Sequence, residues 1–225
     1  MGPAYFTGTW EDPMPREILR PELGVLPERA GPPPADPPLK PEALAEWKAA
    51  ARKNAEMLAK GEVPITPNAL CQPPGFPGMM GPVFPIEVLQ TPNQITITQE
   101  AFSQTRRIYL NEKQIAFEDA EPTYYGHSVG HWEGNVLYVN TVGLKDFIRN
   151  RNTPHSDQMS IDEKITVAPE KVTIEFTQTD PVYLTRPFSW KVEWAKRHDY
   201  KMNEFVCENN KIEVDPATGL QRLSE

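Results

Sequence analysis

The stretch Tyr124–Val142, YYGHSVGHWEGNVLYVNTV, carries the pattern that decides the fold. Segments 124–132 and 135–142 are rich in aromatic and β-branched residues, which favours two short strands. Gly134 lies between them and can adopt a positive φ, so the stretch predicts a β-hairpin. A tight turn of this kind sets its two strands antiparallel.

Similar strand patterns continue on both sides of this hairpin. Ile95 and Ile97 alternate with threonines after a Pro92-Asn93 turn, which is typical of a half-buried strand. About eight or nine short strands joined by tight turns close most economically as an antiparallel up-and-down, lipocalin-like barrel, because closure removes exposed edges. A two-sheet sandwich is the alternative. The predicted strands are 84–91, 94–101, 106–110, 124–132, 135–142, 159–167, 171–179, 187–195 and 203–208.

The first third of the chain is rich in proline. Of the 25 prolines, 18 lie at or before Pro85, which excludes a regular sheet there, and Gly31–Pro38 is typical of a polyproline-like spacer. One helix is predicted at about 41–60, because Pro41 suits a first helical turn and Gly61 supplies a stop. The predicted organisation is a Pro-rich N-terminal arm at 1–83, a β-barrel domain at 84–210 and a C-terminal tail at 211–225.

Composition excludes several classes of protein. The 225 residues contain 23 Lys+Arg against 31 Asp+Glu, a net charge of −8, whereas nucleic-acid binders normally show a basic field. No stretch approaches about 18 consecutive apolar residues, so no membrane span is predicted. The sequence contains neither a glycine-rich phosphate loop nor a Gly-x-Ser-x-Gly elbow, and we expect no cofactor.

The cysteines and two of the histidines bear on metal binding and redox state. Cys71 and Cys207 are too few for a four-thiolate zinc site. They form one disulfide in an oxidising compartment, and are otherwise two buried thiols. His127 and His131 are four apart on a predicted strand, a separation of about 13 Å, so they cannot share a metal ion. No metal is predicted.

Histidine is the side chain best suited to proton transfer near neutral pH. His155 lies in a polar segment between two predicted strands, where functional residues often occur. The alternative is a turn that Ser156 and Asp157 cap. His127 is the second candidate, with the alternative that a backbone carbonyl satisfies it inside the barrel. We predict both His127 and His155 as catalytic residues.

Arg106 and Arg107 are adjacent on one predicted strand, so they face opposite sides of the sheet. An inward arginine requires a carboxylate partner or an anionic ligand, and Glu100 and Asp146 are the candidate partners. The alternatives are an ion pair inside the barrel and capture of a carboxylate or phenolate. We predict Arg107 as a third catalytic residue that stabilises negative charge. The predicted substrate-binding residues are Glu100, Tyr109, Tyr125, Tyr138 and Asp146.

Four strings together resemble a widespread family of exported, largely uncharacterised bacterial proteins. The strings are CQPPGFPGMM at 71–80, YGHSVGHWEG at 125–134, PHS at 154–156 and VCENN at 206–210. The resemblance extends from Thr7 to Asn210. It implies a periplasmic or secreted protein and supplies no established activity.

Two departures from that family concern candidate chemistry. The family commonly has Asp where Asn140 stands, which puts a catalytic base at this position in doubt, and Glu-Arg where Glu163-Lys164 stands. Gly8-Thr9-Trp10 also resembles the opening motif of lipocalin-like barrels. Neither a charged n-region nor an apolar h-region precedes Gly8, so a cytoplasmic location remains the alternative.

Three functions are compatible with these residues. The first is a cofactor-independent acid/base enzyme of the lyase, isomerase or cyclase type, which acts on a small aromatic or hydrophobic molecule in a barrel pocket. The second is a lipocalin-like protein that binds such a molecule without turnover. The third is an accessory protein whose arm docks a partner or builds a homodimer. Ionisable groups around the central strands favour the enzyme, because a carrier needs fewer of them.

Overall fold

Nine strands form one closed barrel in the computed structural model, which describes residues 2–13, 36–62, 67–148, 152–207, 212–215, 217 and 221–223. The barrel strands are β1 Gly8–Glu11, β2 Ile86–Gln90, β3 Gln94–Gln99, β4 Gln104–Leu110, β5 His127–Glu133, β6 Val136–Val142, β7 Ser160–Val167, β8 Lys171–Thr179 and β9 Phe188–Arg197. Strands β10 Ile212–Val214 and β11 Gln221–Leu223 form a separate sheet. The helix α1 is Pro41–Ala59, and the short 3-10 helices are Ala4–Phe6, Pro67–Leu70, Gly78–Met80, Ala101–Ser103 and Phe117–Asp119.

The hairpin predicted at 124–142 is present. Strands β5 and β6 are antiparallel, with His127 opposite Val142 and Glu133 opposite Val136. Gly134 has a φ of +61° in the turn between them, a backbone conformation that glycine adopts without steric cost.

One neighbouring pair breaks the predicted up-and-down pattern. Strands β4 and β5 are parallel, with Ile108 opposite Ser128 and Leu110 opposite Gly130, whereas the other neighbours in the barrel are antiparallel. Strands that alternate in direction around a closed ring must be even in number, so nine strands require a parallel pair. The prediction of a purely antiparallel barrel was therefore wrong. Two parallel neighbours need a crossover connection, and residues 111–126 provide it.

Strand β1 closes the barrel from within the range predicted as the N-terminal arm. Thr9 lies opposite Glu87 of β2 and opposite Arg197 of β9. Trp10 of the same strand is fully buried in the core. The barrel therefore begins about 75 residues earlier in the chain than the boundary placed at residue 84, since alternation over so few residues gives a weak strand signal.

The predicted strand at 203–208 is not formed in its described part. Residues 201–207 have no regular secondary structure, and we call residues 198–207 the strap. The carboxylate of Glu100 accepts hydrogen bonds from Tyr200 Oη at 2.5 Å and from the backbone N–H of Asn203 at 2.8 Å. Cys207 at its end is joined to Cys71 by a disulfide, so the first of the two cysteine alternatives holds.

Segment 71–80 fills part of the barrel interior, and we call it the plug. Phe76 and Met79 are fully buried, and Met80 is 1% exposed. They pack in one apolar cluster with inward side chains of the barrel strands. Two side-chain contacts hold the plug backbone: Gln104 Oε1 accepts from Gly75 N–H at 2.9 Å, and Gln99 Nε2 donates to the Met79 carbonyl at 2.7 Å.

Helix α1 is attached to the barrel by its first turns. Ala43 packs in a small cluster with Leu39, Leu184 and Phe188, and the Lys40 N–H donates to the Tyr183 carbonyl at 2.8 Å. The helix ends close to the predicted residue 60. Residues 31–35 of the Gly31–Pro38 spacer lie outside the described residues, as do 211, 216, 218–220, 224 and 225 of the tail.

Candidate functional site

Among the described residues, the cavity found inside the barrel is too small for a small molecule. The remaining cavity measures about 10 Å³ and is lined by apolar side chains such as Trp10, Met80 and Trp194. This space is at most about that of one water molecule. The predicted barrel pocket is therefore filled by the plug and by the inward side chains of the strands.

Arg106 is the inward arginine, and its partner is Glu163 rather than Glu100 or Asp146. Both side chains are completely buried, and Arg106 Nη1 donates to Glu163 Oε1 at 3.0 Å in a two-pronged ion pair. The guanidinium also donates to Ser128 Oγ at 3.1 Å and to Thr141 Oγ1 at 3.0 Å. Its Cζ lies 3.7 Å from the ring centroid of Phe76 in the plug. These contacts pair the buried guanidinium with the buried carboxylate and two hydroxyl groups, so we assign the Arg106–Glu163 pair a structural role.

Sequence reasoning missed Glu163, although the sequence contains a signal for it. Ile161 and Ile165 lie two residues on either side, and side chains at this spacing share one face of a strand. All three are buried. A carboxylate on the apolar face of a strand indicates an inward charge that requires a partner.

Two stacked ring pairs lie on the outer face of the barrel. The rings of Tyr109 on β4 and His127 on β5 have centroids 5.4 Å apart at 25°. Those of His131 and Tyr138, on β5 and β6, are 5.5 Å apart at 21°. Neighbouring strands with matching parity bring these four side chains to the same face.

A groove of about 360 Å³ runs along this face, and we call it the outer groove. His131 and Tyr138 form part of its wall, and Val129 lines it beside the backbone of Gly130. Its polar lining includes Asn111, Glu112, Asn140 and Asp162. The groove has the size of a small-molecule site and combines aromatic walls with a few hydrogen-bonding groups.

A hydrogen-bonded chain of side chains links the outer groove to His127. His127 Nδ1 lies 2.8 Å from Gln114 Oε1. Gln114 Nε2 donates to Asn140 Oδ1 at 2.9 Å, and Asn140 Nδ2 donates to Asp162 Oδ1 at 2.7 Å. Sequence reasoning missed Gln114, because it lies in the crossover, where no periodicity assigns a direction to a side chain.

His155 lies in the loop before β7 and does not line the outer groove. It is 7% exposed, and its Nε2 lies 2.8 Å from the Ile148 carbonyl and 3.1 Å from the Lys145 carbonyl. Its Nδ1 lies 3.1 Å from the Ser156 carbonyl. Both ring nitrogens thus face backbone oxygens, and the ring ties the 145–148 loop to the residues before β7.

Replacing His155 with alanine is expected to lower the free energy of unfolding by about 1–3 kcal/mol, because buried carbonyls lose their donor. Urea unfolding monitored by tryptophan fluorescence measures this change. His198→Ala is the matched control, since that ring is 69% exposed and surface changes stay within about 0.5 kcal/mol. Equal losses in the two variants would contradict the structural role.

Tyr125 and Asp146 lie outside the outer groove. Burial is the main cause that raises the pKa of Tyr125 above its usual value, and the neighbouring Tyr124 adds to it. Tyr124 packs edge-on against Phe147 with centroids 5.4 Å apart. Asp146 is exposed on the same loop as Phe147.

The predicted site residues are therefore divided among several places. His127, Tyr109 and Tyr138 share the outer face, and exposed Arg107 lies two residues before Tyr109 on β4 with the same parity. Glu100 holds the strap instead. His155 does not share this outer face with them, because it is enclosed by its own loops.

No group of three or more histidine, cysteine or carboxylate side chains within the described ranges is arranged to hold a metal ion. Among the same residues, no helix is long and apolar enough to cross a membrane.

Comparison with known proteins gives no match: no family model, no curated protein and no solved structure matches this chain.

Proposed function

We propose that the protein binds a small aromatic molecule with polar substituents in the outer groove. The observation that supports this best is the contrast between the groove, at about 360 Å³, and the filled interior, at about 10 Å³. Sites for small molecules usually measure about 300–1,000 Å³. The binding function expected for a lipocalin-like lumen is thereby proposed for the outer face.

The side chains of the groove suit a ligand with hydrogen-bond donors. Carboxylates only accept hydrogen bonds, and Glu112 and Asp162 both line the groove. The ring of Tyr138 supplies an aromatic face, against which a second ring gains about 0.5–1.5 kcal/mol beyond its area burial. A flat ring that bears an N–H or O–H group therefore matches the lining.

An oxidising compartment is proposed for this binding activity. The disulfide between Cys71 and Cys207 is typical of exported proteins. This agrees with the periplasmic or secreted location that the family resemblance implies.

Binding is tested with 5-nitroindazole, a flat bicyclic ring with one N–H donor. Titration followed by amide NMR is expected to give saturable shifts at Val129, Gly130 and Tyr138. Tyr138→Ala should weaken binding by roughly two- to tenfold, because the aromatic face is lost.

Tyr5→Ala is the control for this titration, since Tyr5 is 39% exposed and does not line the groove. It should bind like the wild type. Shifts that fail to saturate, or that are equally strong in the Tyr138 variant, would contradict binding in the outer groove.

A further inference from the structure

The hydrogen bonds of Gln114 fix the orientation of its carboxamide. The backbone N–H of Ile115 donates to Gln114 Oε1 at 3.0 Å, which identifies that atom as the oxygen. Gln114 Nε2 faces three acceptors: the His127 carbonyl at 3.2 Å, the Asn140 carbonyl at 3.0 Å and Asn140 Oδ1 at 2.9 Å. Exchanging oxygen and nitrogen would turn these contacts into repulsions.

This orientation determines the tautomer of His127. Gln114 Oε1 can only accept, so His127 Nδ1, 2.8 Å away, carries the hydrogen. The neutral ring then has its lone pair on Nε2. Within the described part of the chain, no hydrogen-bond partner of His127 Nε2 is found, so this nitrogen is available to take a proton.

A negative charge ends the chain of side chains behind His127. Asp162 Oδ1 accepts from Asn140, which in turn accepts from Gln114. Aligned hydrogen bonds polarise one another, and the Asp162 carboxylate is the final acceptor of this chain. The arrangement therefore orients the imidazole and holds its hydrogen at Nδ1.

His127 is adjacent to the outer groove. Asn140 and Asp162 of its hydrogen-bonded chain line the groove, as does Val129, two residues along β5 on the same face. Tyr109 stacks on the imidazole and lies opposite Val129 in the sheet register. The ring pair thus lies on the same face of the sheet, next to residues that line the groove.

We infer that His127 Nε2 is a general base that removes a proton from an aromatic molecule bound in the outer groove. The step is a cofactor-independent elimination or isomerisation, and Gln114 is the positioning residue that fixes the tautomer. Because the proton comes from the bound ligand, this inference rests on the proposed binding function.

In such an elimination, Nε2 forms a bond to the proton of a C–H group, and the C–H electron pair becomes a new π bond. The leaving group departs as an anion with the electrons of its own bond. The imidazolium then gives its proton to water, or to that anion where it is basic enough. No electrons are gained or lost, so the step needs no oxidant or reductant.

The activity is tested with 5-nitrobenzisoxazole. Removal of its C3 proton breaks the N–O bond and forms a nitrile and a coloured phenolate, so the rate is read by absorbance. A positioned general base typically contributes about 10²–10⁴-fold, and the His127→Ala variant is expected to lose about 100-fold of the wild-type rate. His198→Ala, an exposed histidine beside Glu170, should keep the wild-type rate.

The role of Gln114 is tested by ¹⁵N NMR of the imidazole. Wild type should show the Nδ1–H tautomer of His127, whereas Gln114→Ala should show a mixture of the Nδ1–H and Nε2–H tautomers. The elimination rate of Gln114→Ala should be about tenfold lower, since the efficiency of a general base depends on its correct protonation state.

Two results would overturn the inference: equal rates in wild type and His127→Ala, or an Nε2–H tautomer in the wild type. The titration with unreactive 5-nitroindazole distinguishes the two proposals. Saturable binding without a His127-dependent rate removes the base and retains the binding function, whereas absence of groove shifts removes the binding function itself.

Discussion

Replacing Glu163 with alanine is expected to lower the free energy of unfolding by about 3–5 kcal/mol, because the change leaves a buried charge without its partner. Arg106 is fully buried, so water cannot replace the lost carboxylate. Ser128 and Thr141 remain as neutral partners of the guanidinium, but they supply no negative charge. Urea unfolding followed by circular dichroism measures the loss.

Glu175→Ala is the matched control for this prediction. Glu175 pairs with Lys164 on the outer face at 3.3 Å, with about half of each side chain exposed, and such pairs contribute about 0–1 kcal/mol. A double variant, Arg106→Met with Glu163→Leu, should recover most of the lost stability, since it removes both buried charges. A Glu163 variant that is no less stable than the Glu175 variant would contradict the structural role.

Replacing Cys71 and Cys207 with serine is expected to destabilise the protein by about 4–5 kcal/mol in the chain-entropy account of disulfides. The two residues are 136 apart in sequence, and a long closed loop restricts the unfolded chain strongly. The thermal midpoint of the variant, compared with that of the oxidised wild type, measures the effect. Wild type under dithiothreitol should resemble the double variant.

Phe205→Ala separates the covalent link from the other contacts of the strap. Phe205 packs on Phe102 with ring centroids 4.9 Å apart, a contact that contributes about 0.5–1.5 kcal/mol. The disulfide remains in this variant, so the loss should be clearly smaller. If Phe205→Ala costs as much as the double serine variant, the stabilisation does not come from the cross-link.

The strands after residue 84 were largely predictable from sequence. Alternation of Thr and Ile predicted β3, and the predicted segment 171–179 coincides with β8. The number of strands was predictable only to within one, as eight or nine, and whether this number is even decides whether a closed ring can alternate throughout. Strand β1 makes the number of strands odd, and an odd number requires a parallel pair, which here is β4–β5. The four residues of β1 give only a weak periodic signal, so the parallel pair was not predicted.

The candidate site was predictable only in part. Strand parity brings Tyr109, His127 and Tyr138 to one outer face, but their orientation toward solvent depends on which face the core covers, and a slip of one residue reverses it. Loop residues lack even this constraint. His155 and Gln114 both lie in loops, so no periodic pattern indicates that the first is enclosed or that the second contacts His127.

Closure of the barrel has a consequence for the order in which the protein assembles. Strand β1, near the start of the chain, pairs with β9 through Thr9 and Arg197. Contacts between such distant residues form late, because the entropy of loop closure is lost before they contribute. During synthesis the sheet therefore remains open along two edges until Arg197 has emerged. A chain that ends before β9 keeps those edges, and unpaired edges promote pairing between molecules.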